Sequence, residues 1–254
     1  MHPLVIISHN NHAYVENTIT QAEKFGLGAI VLDNASTYEK TRNCLEAISR
    51  RVRVIHLPDN FGYTCWSRPE IYDRLPDRFF LTDPDLQWNA KLPVDFPATL
   101  DALCSAFGAR KVGFALDLGD SDGMFQDADY YQGKSIRAWE AQFWTRRIAH
   151  PLYEIYAAAL DTTFQLFDKA KPSGLHLRVA GNFIAKHLPW YRETTISPHD
   201  LVHMYVSSRA STTAKLVLRE MSRRNSLAAA LDECRRSCSS PLSMSVTDVE
   251  AKLG

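Results

Sequence analysis

Phe79-Phe80-Leu81-Thr82-Asp83-Pro84-Asp85-Leu86 joins a short apolar run to a pair of acids. Phe79 to Leu81 suit a buried strand. Pro84 fixes its own φ and pushes Asp83 towards an extended conformation, so the chain turns abruptly after the run. Two carboxylates are then expected at the carboxyl end of an interior strand, where open α/β sheets place their ligands. Two carboxylates one residue apart beside an apolar core call for a cation. A divalent metal meets that need, and Mn²⁺ or Mg²⁺ favours oxygen ligands. A solvated Asp-Pro-Asp turn is the plain alternative.

Upstream, three similar units lead to this stretch. Pro3 to Ile7 reads as a buried parallel strand, followed by polar Ser8-His9-Asn10-Asn11-His12. A helix is expected over Tyr14–Phe25, ended by Gly26-Leu27-Gly28. Ala29 to Leu32 is the second strand and Tyr38 to Ser49 the second helix, with Ser36 or Thr37 as its cap. Val52 to Leu57 is the third strand, and Ser67 to Leu75 a helix. This β-α alternation predicts an α/β fold with a mostly parallel, Rossmann-like sheet and helices on both faces. No Gly-x-Gly-x-x-Gly follows the first strand, so a standard dinucleotide fold is excluded, and no phosphate-binding P-loop is present.

Downstream, Pro93 to Phe107 reads as a helix and Lys111 to Leu116 as a strand. Asp117 to Gly133 is rich in Asp and Gly and reads as a long loop. Arg137 to Tyr156 is aromatic, Asp161 to Phe167 fits a strand or a helix start, and Leu175 to Ala180 is a strand. Asn182 to Tyr191 reads as an aromatic, basic loop, and Leu201 to Tyr205 as a helix. From Ser207 the character changes: Ala214 to Cys234 is an amphipathic helix and Cys238 to Val246 is Ser-rich. Two parts are therefore expected, residues 1–206 and a C-terminal extension over 207–254. The extension's slight basic excess fits a peripheral membrane contact or, more simply, a solvated or partner-packed helix.

A formal net charge of zero gives no global field to draw in nucleic acid. Five scattered cysteines, without a Cys-x-x-Cys pair, argue against a zinc site and for a reduced, cytoplasmic thiol set. The opening residues lack a signal-peptide pattern, and no run is long enough to span a membrane.

In their order, the loop motifs resemble those of the family-2 glycosyltransferases of GT-A fold, over about residues 3 to 205. Ser8-His9-Asn10-Asn11 is similar to the family's Thr-Tyr-Asn-type opening. Val31-Leu32-Asp33-Asn34-Ala35-Ser36-Thr37 resembles its Val-Asp-Asn-x-Ser-x-Asp stretch, with Tyr38 where Asp often ends the pattern. Asn60-Phe61-Gly62 with Arg68 looks like the Asn-x-Gly…Arg element, and Asp83-Pro84-Asp85 like the Asp-x-Asp. Asp161-Thr162-Thr163-Phe164 is similar to the downstream Glu-Asp segment, but Leu160 replaces the Glu. His187 falls where such enzymes often carry a third metal ligand.

The resemblance implies a metal-dependent, inverting transferase. It would move a sugar from a nucleoside-diphosphate donor, UDP or dTDP before GDP, to a glycan or glycolipid hydroxyl, at the inner face of a membrane or free in the cytoplasm. Asp85 and His187 would hold Mn²⁺ or Mg²⁺, with Asp83 touching the metal through water or binding the ribose. Asn10, Asp33, Asn60, Gly62 and Arg68 would line the nucleotide pocket. Asp161 would take the acceptor proton, with Glu140, Asp120, Asp122 and Asp127 as rivals. Each has a plainer reading: a helix cap for Asp33 and Asp161, a surface ion pair for Arg68, a satisfied histidine for His187. Trp139, Trp144 and Trp190 suit an acceptor cleft or the core equally. A sugar nucleotidyltransferase would want Gly, Lys or Arg after the first strand, and residues 8–12 hold none. A degenerate, non-catalytic domain binding glycan or a partner is the remaining rival.

Overall fold

The computed structural model describes residues 2–119, 123–125, 130–161, 163–171, 174–192, 200, 203, 212–223, 227–236, 245 and 247–248. Asp120, Asp122 and Asp127, Thr162, most of the helix expected over 201–205 and most of the Ser-rich stretch lie outside the described residues.

The first half alternates as the sequence predicts. Strands β1 (Leu4–Ser8), β2 (Ala29–Asp33), β3 (Arg53–His56) and β4 (Arg78–Thr82) are joined by α1 (His12–Glu23), α2 (Glu39–Ile48) and, before β4, a 3₁₀ stretch (Gly62–Ser67) with the short α3 (Pro69–Tyr72). The apolar runs form strands because both their faces are covered. Leu4 and Ile6 meet a layer containing Val15 and Ile19 of α1, and Val5 and Ile7 meet the opposite layer with Ile71 and Leu75. The helix expected from Ser67 starts only at Pro69. Arg68 is extended, at φ −65° and ψ 136°, as the residue before a proline prefers.

β5 (Leu86–Trp88), α4 (Phe96–Phe107), β6 (Lys111–Leu116), α5 (Ile136–Ala141), β7 (Arg147–Ile148), β8 (Ile155–Ala157), β9 (Gln165–Asp168) and β10 (His176–His187) complete the body. The ten-stranded sheet has the order β3-β2-β1-β4-β9-β6-β10-β8-β7, with β5 added to β10. β3, β2, β1, β4, β6 and β10 point the same way, while β9 runs against its neighbours β4 and β6. The mostly parallel sheet with helices on both faces is thus observed, an arrangement consistent with a GT-A-like fold. Gly113 in β6 permits the close approach of β9: a Cβ there would lie 2.2 Å from the Phe164 carbonyl oxygen.

One expectation is corrected. Asn182 to His187 is not loop but the second half of β10. The strand passes an irregularity between Val179 and Ile184, where Gly181 takes φ +67°, and then pairs with β5. Within the span expected as a helix, Ala214–Cys234, the structure describes α6 (Thr212–Arg223) and α7 (Leu227–Arg236), and residues 224–226 lie outside the described residues. Leu216 of α6 joins the main core beside Trp190 and Tyr191. Among the described residues no helix is long and apolar enough to cross a membrane.

Candidate functional site

The turn after β4 is pinned from below by α1. Thr18 Oγ1 donates to the Pro84 carbonyl at 2.6 Å, and Gln21 Nε2 to the Leu86 carbonyl at 3.0 Å. Gln21 Oε1 accepts from the Trp88 backbone N–H at 2.7 Å. Both side chains are buried, and the turn's backbone satisfies them there. β5 then pairs with β10, placing His187 opposite Leu86, and the Leu188 N–H donates to the Asp85 carbonyl at 2.8 Å.

Two residues far apart in sequence meet there. His187 Nε2 lies 3.3 Å from Asp85 Oδ2, their side chains 14% and 17% exposed. Asp85 Oδ1 and His187 Nδ1 are buried without a hydrogen-bond partner. A carboxylate oxygen and an imidazole nitrogen so placed fit a divalent cation, which takes both donor types. Asp83 sits half-buried on the same turn. Its charge, after burial, helps push the Cys65 thiol up to about 12. Among the described residues no three His, Cys, Asp or Glu side chains already cluster as a metal cage.

A second cluster joins the loops after β1, β2 and β3. Asn10, at φ +53°, accepts from the Thr37 and Tyr38 backbone N–H groups, both at 2.9 Å through Oδ1. The expected cap is corrected: Tyr38, not Ser36 or Thr37, holds the N-cap position of α2, and its side chain makes no capping bond. Asn34 donates to Asn60 Oδ1 at 2.7 Å and to the Gly62 carbonyl at 2.9 Å, and accepts from the Phe61 N–H. Asp33 Oδ1 accepts from the Ser36 N–H at 3.1 Å, while Asp33 Oδ2 is 2.8 Å from His56 Nδ1. Arg68 pairs with Glu70 and lies over the Phe61 ring at 3.7 Å. It has the surface ion pair that its plainer reading predicts.

The two carboxylates expected to move a proton differ sharply. Glu140 on α5 is buried and ion-paired with Arg178 of β10, itself 3% exposed. Burial pushes Glu140 up to about 7 against the pull of Arg178, and His187 lies within electrostatic reach of it. Arg178 also donates to the Ala159 carbonyl at 2.8 Å and lies over the Phe143 ring. Asp161 is exposed, and its backbone carbonyl accepts from the Gln165 amide. Gln165 is paired with Leu81, two residues short of Asp83. The Asp161 charge acts on Lys111 and Arg178. Asp85, His187 and, at longer range, Glu140 are therefore brought together, while Asp161 stands apart beside Lys111.

Sequence reasoning missed Thr18, Gln21, Asn34, His56 and Arg178. Thr18 and Gln21 carry a signal, two polar residues on the apolar face of a helix. The other three owe their roles to pairing between distant strands or loops. A cleft at the opposite end of the sheet, lined by His2, Arg78 and Asp168 among others, offers no free cation: Arg78 is held by Asp101 and Asp168.

No protein-family model and no curated protein matches the chain. Among solved structures it is similar to a mannosyltransferase, PcManGT from Pyrobaculum calidifontis, in complex with GDP-Man and Mn²⁺. The two share 13% of their sequence over 99% of this chain and 79% of that one, with a TM-score of 0.48. That likeness is too slight to carry an activity from one protein to the other.

Proposed function

We propose that this chain is a metal-dependent, inverting glycosyltransferase, using a nucleoside-diphosphate sugar, UDP or dTDP in preference to GDP, and a glycan or glycolipid hydroxyl as acceptor. One observation carries the reading. Asp85 and His187 meet at the carboxyl end of the sheet, each keeping a buried polar atom without a partner. Leaving such an atom unmade costs about 1–3 kcal/mol, so the arrangement makes sense when something occupies it. Asp85 and His187 would hold Mn²⁺ or Mg²⁺, with Asp83 beside them. The bound cation would neutralise charge on the departing diphosphate.

The chain's own residues supply the rest. Thr18 and Gln21 fix the turn that bears Asp83 and Asp85. Asn10, Asn34, Asn60 and Gly62 hold the loops after β1 to β3 in one shape, so the nucleotide meets a formed surface. Asp33 and Arg68 border that surface. Asp161, exposed and unburdened by a buried ion pair, takes the acceptor proton; Glu140 orients Arg178 instead.

Calorimetric titration of UDP, dTDP and GDP, with Mn²⁺ and then with EDTA, tests the reading. Metal-dependent binding of one nucleotide, lost in Asp85→Ala, is expected. If no nucleotide binds under either condition, the reading fails, and a non-catalytic glycan- or partner-binding role takes its place.

A further inference from the structure

His56 ends β3 directly opposite Asp33, the last residue of β2. The two side chains meet at 2.8 Å, yet their surroundings are unlike: Asp33 is 5% exposed and His56 64%. An ionised carboxylate only accepts hydrogen bonds, so the imidazole must carry its proton on Nδ1. His56 Nε2 is then left as an acceptor on the exposed part of the ring. The other Asp33 oxygen is bound to the Ser36 N–H, so the carboxylate cannot swing away to pair elsewhere. The buried acid thus fixes both the tautomer and the orientation of an exposed base.

We propose that His56 Nε2 accepts a hydrogen bond from the nucleoside of the bound donor, with Asp33 as the residue that positions it. The proposal rests on the glycosyltransferase reading and goes beyond it in naming the contact. An acceptor at this place recognises either an N–H of the base or a ribose hydroxyl. It adds nothing for the diphosphate, an acceptor itself. Asp33, with both oxygens engaged within the protein, acts through His56.

Two substitutions separate contact from mere support. In His56→Asn the side-chain amide can still donate to Asp33, but the outward acceptor is gone. In His56→Ala both are lost. Wild type and the two variants are titrated with UDP, 2′-deoxy-UDP, dTDP, GDP and inorganic pyrophosphate, all with Mn²⁺. Both variants are expected to bind the preferred nucleotide about tenfold more weakly, the scale of one hydrogen bond. Pyrophosphate binding should not change. If 2′-deoxy-UDP binds wild type as weakly as UDP binds His56→Asn, the ribose is the donor group; if it binds like UDP, the base is. The proposal is overturned if His56→Asn binds the nucleotide as wild type does, since His56 then only supports Asp33, and the transferase reading stands. It is also overturned, together with that reading, if wild type binds no nucleotide. Equal weakening towards pyrophosphate, or a lowered melting temperature in His56→Asn, would make the effect structural and overturn it as well.

Discussion

Two aspartate–histidine pairs stand at the carboxyl end of this sheet. Asp33 and His56 face each other across neighbouring parallel strands at 2.8 Å, and both carboxylate oxygens have partners. Asp85 and His187 come from a tight turn and from the end of a strand with which its continuation pairs. They lie 3.3 Å apart, and each keeps a buried polar atom without a partner. The first pair is complete and presents its outer nitrogen to solvent. The second is incomplete within the protein. Chemically similar residues thus end in different states: one carboxylate has both oxygens engaged within the protein, while the other pair keeps Asp85 Oδ1 and His187 Nδ1 unpartnered.

The largest effect that tests this contrast is at Asp85. Removing its carboxylate should abolish Mn²⁺-dependent nucleotide binding. It should also lower kcat by on the order of 10³, the loss of several kcal/mol of charge stabilisation at the leaving group. In EDTA the same Asp85→Ala protein should lose less stability than Asp33→Ala does, because one of the two Asp85 oxygens has no partner to lose. A marked loss of stability in EDTA would make Asp85 an ordinary structural acid and erase the distinction between the pairs.

Arg178 tests the other end of the strand that carries His187. Glu140 normally titrates near 4.5, and burial raises it to about 7 in the fold. Between those values the folded chain holds a proton that the unfolded chain has released. Stability therefore falls as pH rises from about 4.5 through about 7. Arg178→Met removes the charge opposing that rise and strands a buried carboxylate. The variant should lose about 3–5 kcal/mol at pH 8 and much less at pH 5, where the carboxyl is neutral. Urea denaturation at the two pH values measures both numbers. An equal loss at each would mean that packing, not charge, makes the pair matter.

Asp33 should show the larger loss of the two. Asp33→Ala strands the Ser36 N–H and frees His56, so it should destabilise the metal-free protein by about 1–3 kcal/mol. Thermal melts of Asp33→Ala and Asp85→Ala in EDTA, run side by side, decide the matter. If both fall equally, the two carboxylates are equivalent structural groups.

How much of this was legible in the sequence follows from the range of the interactions. β1 to β4 were readable because apolar, β-branched runs covered on both faces leave a local signature. Asp83 and Asp85 were readable because Pro84 forces the turn between them. The second half of β10 is not legible because Gly181 and Asn182 resemble a strand end, whereas the irregularity there is fixed by pairing with β6 and β5. His187 was singled out by the family resemblance, but its meeting with Asp85 depends on that pairing and has no local sign. Asp33 was singled out in the same way, while its partner His56 was not. A register match between two strands does not show in either strand alone.

The smallest effect expected is at Arg68. Its guanidinium lies over Phe61 and pairs with Glu70, both on the surface side of the turn after β3. A stacked cation at an exposed site is worth about 0.5–1 kcal/mol, and an exposed ion pair no more. Arg68→Ala should therefore shift the melting temperature by only a few degrees at low salt, and by less in high salt, where the ion pair is screened. Its effect on the nucleotide titration is the sharper measurement. Arg68 borders the same loops as His56 but has no buried carboxylate to hold it, so a ligand must compete with Glu70 for it. Weakening of nucleotide and pyrophosphate alike in Arg68→Ala would assign it to the diphosphate, the complement of what is expected of His56. No change in either would leave Arg68 as the surface ion pair it forms in the free chain, and the oriented imidazole of His56 as the donor contact on that side of the site.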